Sequence, residues 1–196
     1  DTLQFSTKDE SWEPQRPIVS VGRLGDPRKG WERLIHSYMG LTRYFSDVPP
    51  LRIIGKGSIT PGTQLLLSDP RIASRVEVHQ EPSDEQLVHL LSSSSIFFAT
   101  PYEEGLGLAA LEAMSCGLPV LVTETAGSRE YVRPGETGYF LPQSTPSITA
   151  SLVSGYRKCL TEGPRLSANA RRLVLDRFSL RATAEPVMHT WSALLG

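Results

Sequence analysis

Between residues 22 and 30 the chain sets Arg23, Arg28 and Lys29 in one glycine-bounded stretch, Gly22-Arg23-Leu24-Gly25-Asp26-Pro27-Arg28-Lys29-Gly30. Farther on it sets two carboxylates, Glu104 and Glu112, around the glycines Gly105 and Gly107. Cations on a loop can neutralise a diphosphate, and carboxylates accept hydrogen bonds from hydroxyls while repelling phosphates. A ligand carrying both groups would be served by the two stretches together. The opposing reading is that these side chains are simply solvated. Loop charges are usually exposed, helix starts favour acids through the dipole, and a single glycine-rich turn is a weak signal.

The elements that must position these residues can be read from the apolar pattern. Ile96-Phe97-Phe98-Ala99 suits a buried parallel strand, which Pro101 should end. Gly105 and Gly107 let a ligand approach the main chain closely. Leu108, Leu111 and Glu112-Ala113-Met114 then read as a helix, which Gly117-Leu118-Pro119 ends before a second strand, Val120-Leu121-Val122. A strand, a glycine turn and a helix start together form an anion site, because unpaired N–H groups and the helix dipole point outward there. Upstream, Pro17-Ile18-Val19-Ser20-Val21 is a strand feeding the cationic loop. Trp31, Leu34, Ile35, Tyr38 and Leu41 keep to one face of the helix that follows.

Leu51 to Gly55 reads as another strand. The Gly55-Lys56-Gly57-Ser58 that ends it is a strand-end turn, because a Walker loop needs a glycine where Pro50 stands. A weak helix is expected around 64–68 and a strand at 76–79. Ser83 should cap a helix over 84–94. Residues 135–141 supply a turn and a last short strand. Ile148, Leu152, Tyr156 and Leu160 mark an amphipathic helix, with two more helical stretches expected at 164–178 and 180–195. Residues 1–16 lack periodicity and are expected to be a linker or arm with little rigid structure, leaving 17–196 as one domain with a helical tail. Short strands alternating with amphipathic helices predict an α/β fold, a doubly wound Rossmann-like parallel sheet with helices on both faces. Both chemical stretches follow strands, so both should face the carboxyl edge of the sheet.

Composition narrows the function. The 196 residues suffice for one good core. Twenty basic residues against 21 acidic ones give no electrostatic case for nucleic acid. No apolar run approaches the ~18 to 20 residues that span a bilayer, and no signal peptide opens the chain. The expectation is a soluble, cytoplasmic protein, or one peripheral at a membrane. Cys116 and Cys159 form no CxxC pair and are expected to be buried free thiols. No metal-ligand set and no Asp-x-Asp pair occurs, so ligand binding is expected to be metal-independent. The chain opens on Asp1 rather than Met and is expected to be a piece of something longer.

The run Glu104-Gly105-Leu106-Gly107-Leu108, with seven residues between Glu104 and Glu112, then Ala113-Met114, Gly117 and Pro119, resembles the Glu-x7-Glu motif of retaining GT-B glycosyltransferases, family four. The 22–30 loop is similar to that family's diphosphate loop. The resemblance implies that Arg23 and Lys29 bind the donor diphosphate and that Arg28 adds to them, as an Arg does in some mannosyltransferases acting on phosphatidylinositol. It implies Glu104 on the transferred sugar and Glu112 on the ribose, with Gly22, Gly105, Leu106, Gly107 and Leu108 lining the donor and Pro82 near its base. Residues 124–130 are similar to a glycine-rich segment of the family, with Ala126 in place of its first glycine.

The implied function is the donor-binding half of an enzyme that moves a sugar from a UDP-sugar or GDP-sugar to an acceptor hydroxyl, with Arg23, Lys29 and Glu104 as the catalytic set. No separate cofactor is implied. An N-terminal acceptor-binding domain is implied, for which this chain has no room, and through it a peripheral membrane contact. The alternatives are a non-catalytic nucleotide-sugar-binding module, or a nucleotide-sugar epimerase on the same two-domain plan.

Overall fold

The computed structural model describes Phe5, residues 11–184 and Trp191. Six short strands form one parallel sheet: β1 (Ile18–Val21), β2 (Leu51–Gly55), β3 (Val76–Gln80), β4 (Ile96–Ala99), β5 (Val120–Thr123) and β6 (Gly138–Leu141). Their order is β3-β2-β1-β4-β5-β6. The chain winds outward from β1 to β3, then returns to lay β4 against the other side of β1, pairing Ile18 with Ile96 and Val19 with Phe97. From there it winds outward again. The loops leaving the carboxyl ends of β1 and β4 therefore diverge, and a crevice opens between them, the usual ligand position in doubly wound sheets.

Successive residues on the strands feed opposite faces, as the pleat requires. Ile18, Ile53, Phe98 and Leu121 pack on one face with α1 (Trp31–Leu41), through Leu34, Ile35 and Tyr38. Val19, Ile54, Phe97, Val120 and Val122 pack on the other with α4 (Asp84–Ser92) and α5 (Leu108–Ser115), through Leu91, Ala110 and Met114. Cys116 and Cys159 are buried free thiols, each pushed up to about 12 by burial. Ser83 caps α4, as the sequence predicted, and the Gln86 side chain accepts from Ser83 N to complete a reciprocal box. The weak helix expected at 64–68 is α2 (Pro61–Leu67), started earlier by the Thr60 cap and followed by the short α3 (Pro70–Ala73). A third short helix, α6 (Ser128–Tyr131), precedes β6.

The largest departure from expectation lies near the C-terminus. Separate helices over residues 148–160 and 164–178 are in fact one, α7 (Thr145–Arg177), 33 residues long and so about 50 Å. Pro164 sits inside it. A proline there lacks the N–H that the Leu160 carbonyl would accept and costs ~3 kcal/mol. Burial outweighs that cost, at ~1.5 to 3 kcal/mol per large apolar side chain. Ile148, Leu152, Tyr156 and Leu166 anchor α7 on the α1 face, and Ala170 and Val174 anchor it on the α5 face. Beyond it, residues 180–184 are helical. Most of the remaining stretch expected as helix lies outside the described residues.

The described part of the 1–16 segment is also more ordered than expected. Trp12 donates its indole N–H to the Ser95 carbonyl at 2.7 Å, and Ser95 Oγ donates to the Arg16 carbonyl at 2.7 Å. Phe5 is buried, and its carbonyl accepts from Ser115 Oγ at 2.6 Å.

Trp12 lies over Gly163, where an added Cβ would fall 2.3 Å from its ring. Gly-to-Ala in an open helix gains about 1 kcal/mol. Here Gly163→Ala should instead lower the urea midpoint. In a Trp12→Ala background the same substitution should raise it, and a double-mutant cycle by urea denaturation measures the reversal.

Candidate functional site

The cationic loop is held by its backbone so that its side chains remain outside. Gly22 N donates to the Ile54 carbonyl at 3.0 Å and Leu24 N to the Lys56 carbonyl at 2.9 Å, and Leu24 is buried. The Trp31 indole donates to the Arg23 carbonyl at 3.1 Å, fixing the Arg23 backbone while its side chain stays exposed. A single 3-10 turn, Pro27–Lys29, then brings the chain into α1. At the junction Gly30 has φ +67°, and an added Cβ would lie 2.4 Å from the Thr100 carbonyl.

Arg28 lines the cleft, but its guanidinium is already taken. It grips Asp26 with both arms, at 3.0 and 2.8 Å, while Asp26 also caps the turn by accepting from Arg28 N. The Arg28 hydrogen bond holds the Asp26 carboxyl down at about 2. The same device recurs at Asp69-Pro70-Arg71, with distances of 3.1 and 2.6 Å and the carboxyl again at about 2. That copy leads into the amino end of β3, on the opposite edge of the sheet. The Asp26–Arg28 pair is therefore what an Asp-Pro-Arg cap makes anywhere, and it carries no ligand signal of its own.

The second loop, from Thr100 to Gly107, is tied to the first. Tyr102 N donates to the Arg28 carbonyl at 2.8 Å. Beneath it Arg33, 4% exposed, donates from Nε to the Thr100 carbonyl at 2.7 Å and from Nη1 to the Gln143 carbonyl at 3.2 Å. Thr123 Oγ1 and Gln143 Nε2 donate to the Pro101 carbonyl at 2.6 and 3.3 Å. On the far side Gly127 N donates to the Glu104 carbonyl at 3.1 Å. An added Cβ at Gly127 would press 2.6 Å from the Gly105 carbonyl. The glycine-rich segment around Ala126 is thus a buttress behind the acidic loop.

The two loops meet in an ion pair: Lys29 Nζ lies 2.6 Å from Glu104 Oε2, with side chains 22% and 23% exposed. Around the pair is a cleft of about 520 Å³ whose wall includes Gly22, Arg23, Arg28, Lys29, Glu104 and Gly105. Gly105 differs from its neighbour in kind. An added Cβ there meets nothing within 4 Å, whereas Gly107 has φ +81° and would drive a Cβ to 2.8 Å from the Tyr131 hydroxyl. The fold needs glycine at 107; at 105 the surrounding atoms do not require it, and that residue lines the cleft. Tyr131 is buried, and that burial, with a smaller effect of the Glu104 charge, raises its pKa.

The remaining expected site residues surround this cleft without forming its wall. Gly107 is the N-cap of α5 and offers no side-chain cap, so the first amides of α5 are left for a ligand or water. Leu106 and Leu108 are 42% and 65% exposed at that helix start. Pro82 lies in a separate cleft of about 560 Å³ with His79, Gln80 and His89. Glu112 sits in the second turn of α5, half-buried, and among the described residues its carboxylate has no hydrogen-bond or ion-pair partner. Burial raises its pKa, and the Asp84 charge adds to the effect. Sequence reasoning missed Arg33, Tyr102 and Gln143, because nothing in a helix pattern or a loop announces contacts 67 and 110 residues away. Among the described residues no three His, Cys, Asp or Glu side chains gather as a metal site, and no helix is long and apolar enough to cross a membrane.

A doubly wound parallel sheet with a cation-lined, carboxylate-edged cleft at its switch point is the build of a Rossmann-like glycosyltransferase domain of the GT-B type. The chain belongs to the family of glycosyl transferases group 1, whose model matches residues 4–171. It is 33% identical over 175 residues to the GDP-mannose-dependent alpha-(1-6)-phosphatidylinositol monomannoside mannosyltransferase of Mycolicibacterium smegmatis, covering 85% of this chain and 45% of that protein. It is 30% identical over 173 residues to the MMP alpha-(1->4)-mannosyltransferase of Mycolicibacterium hassiacum, covering 85% of this chain and 40% of that protein. The chain thus spans less than half the length of either relative. The crystal structure of Anabaena HepE in complex with UDP-glucose superposes with a TM-score of 0.77 at 19% identity, over 98% of this chain and 55% of that one.

The unpaired Glu112 generates a pH prediction. Its folded pKa lies above the unfolded one, so ionising it opposes folding, and the penalty appears as pH rises through the folded value. Glu112→Gln, which mimics the neutral acid, should leave the melting temperature unchanged at about pH 4, near the ordinary Glu value, and raise it above pH 7. Thermal unfolding of both proteins across that range checks the sign. A loss of stability at neutral pH would mean that the carboxylate has a partner in the fold.

Proposed function

We propose that this chain is the donor-binding half of a retaining glycosyltransferase and holds a nucleoside diphosphate sugar at the carboxyl ends of β1 and β4. One observation carries the reading: Arg23, Lys29, Glu104 and the open Gly105 share a single cleft where the winding of the sheet reverses. Support for the donor class comes from a relative named for GDP-mannose and a similar fold holding UDP-glucose.

Arg23 and Lys29 face the diphosphate, with the uncapped amides at the start of α5 as further donors. They stabilise the charge that grows on the leaving diphosphate as the sugar passes through an oxocarbenium-like state. These cations neutralise the diphosphate without a divalent metal. Glu112, half-buried and without a described partner, accepts from the ribose hydroxyls. Gln80 and Pro82 lie toward the base. The Lys29–Glu104 pair then has a definite role. The arriving diphosphate replaces Glu104 as the partner of Lys29, and the released carboxylate turns to the hydroxyls of the transferred sugar. The acceptor is held by a second, N-terminal domain, so this chain alone has negligible transfer activity.

Calorimetry with GDP, GDP-mannose, UDP and UDP-glucose tests these assignments. Binding should survive a chelator, and Arg23→Ala should weaken it ten- to a hundred-fold, since a charged hydrogen bond is worth ~1.5 to 3 kcal/mol. Glu104→Gln frees Lys29, so the bare diphosphate should bind at least as tightly as before while the sugar nucleotide loses affinity. Binding abolished by chelator and indifferent to Arg23→Ala would overturn the reading.

A further inference from the structure

We propose that Arg33 is a positioning residue: through the Thr100 carbonyl, Gln143 and the Tyr102 ring it fixes the 102–105 loop, and so sets where Glu104 stands relative to Lys29. The role in donor selection rests on the donor-binding reading above; the hold on the loop does not.

Arg33 is 4% exposed, and among the described residues no carboxylate pairs with it. Its partners are neutral: the Thr100 carbonyl, which accepts from both Nε and Nη2, the Gln143 carbonyl at 3.2 Å and Gln143 Oε1 at 3.1 Å. The guanidinium carbon also lies 3.6 Å from the centroid of the Tyr102 ring. Burying a cation without an opposite charge is costly unless every donor is matched, and the planar fork of arginine is what allows the match. Core packing does not call for such a group. Leu34, Ile35 and Tyr38 already fill the inward face of α1, and an apolar side chain at position 33 would avoid the desolvation.

Two of the three residues that Arg33 contacts, Thr100 and Tyr102, lie on one stretch of chain. Thr100 follows β4 directly, and Pro101, which has no N–H, cannot extend the sheet ladder. The direction the chain takes toward Glu104 is therefore set by what grips its carbonyls and the Tyr102 ring. Gln143 relays the hold by donating to the Pro101 carbonyl at 3.3 Å and the Glu124 carbonyl at 2.9 Å. At its other end Arg33 belongs to the first turn of α1, which begins directly after Lys29-Gly30. The cation and the carboxylate of the site thus hang from opposite ends of one guanidinium. The Glu104 side chain itself remains free to exchange Lys29 for a sugar hydroxyl, because only its backbone is held.

The test uses the whole chain with Arg33→Lys, which keeps the charge but loses the fork, Arg33→Met, and Gln143→Ala at an exposed position that leaves α1 untouched. Hydrogen exchange of the ligand-free proteins should show the amides of Tyr102 and Gly127, whose hydrogen bonds tie the loop at its two ends, opening about tenfold faster in Arg33→Met, with β1, β2 and β5 unchanged. Gln143→Ala and Arg33→Lys should give smaller effects, the lysine restoring part of the hold. In calorimetry the three variants should keep the wild-type affinity for GDP and UDP within about twofold, and lose about fivefold or more for GDP-mannose or UDP-glucose, a difference of ~1 kcal/mol. Unchanged exchange at Tyr102 and Gly127, exchange rising throughout the sheet, or equal losses for bare and sugar-bearing nucleotides would each overturn the proposal. If the wild-type chain binds none of the four nucleotides, the donor-binding reading fails by itself, and the exchange measurement alone then decides whether Arg33 holds the loop.

Discussion

The pairing of β1 with β4 is the constraint on which the rest of the molecule depends. Among the described residues it is the only strand contact between the half that winds toward β3 and the half that winds toward β6. Because parallel neighbours put their carboxyl ends on one edge, this pair sets the cationic loop after β1 beside the acidic loop after β4. The ties between the loops follow from that adjacency: Tyr102 N to the Arg28 carbonyl, Arg33 to the Thr100 carbonyl, Lys29 to Glu104. If β1 met another strand, residues so far apart in sequence would have no means of meeting. The chemistry is a property of the sheet order before it is a property of any side chain.

Arg33 and Glu112 both carry charge that no opposite charge among the described residues pairs with. Arg33 is enclosed by carbonyls, an amide and an aromatic ring, and Glu112 lies half-buried with no described partner. At the cleft, by contrast, Arg28 is paired with Asp26 and Lys29 with Glu104, while the Arg23 side chain stands exposed. The difference in treatment separates roles. A paired charge can serve as structure, and the repeat of the Arg28 arrangement at Arg71, on the far edge, shows that it does. An unpaired and partly desolvated charge weakens the fold unless something outside it repays the loss.

Much of this was legible in the sequence because it is local. Short apolar runs found the strands, since a strand buried on both faces must be apolar throughout, and Ser83 announced a cap that acts on a backbone N–H only three residues on. The glycines at 105 and 107 marked the acidic loop, although the sequence could not tell that one serves the backbone and the other the opening. What could not be read depends on separation. Arg33 sits one turn into an amphipathic helix and looks like any solvated arginine until Thr100 and Gln143 are brought to it. The Lys29–Glu104 pair was divided in expectation between phosphate and sugar, because pairing across 75 residues leaves no trace in spacing. Pro164 was read as a boundary by a rule that holds for isolated helices and yields when both flanks are buried.

The continuity of α7 also bears on how the domain comes apart. A sheet with a core on each face could in principle lose one layer of helices and keep the other. Here one helix contributes Ile148, Leu152 and Leu166 to the first core and Ala170 and Val174 to the second, so neither layer can be stripped without pulling on its counterpart. The two cores are joined into one cooperative unit, which favours all-or-none unfolding over a stable half-melted form. The weakest link in that coupling is the turn around Pro164, where a backbone hydrogen bond is already missing and the Trp12 indole stands over Gly163. A disturbance at that turn is therefore passed to both cores at once.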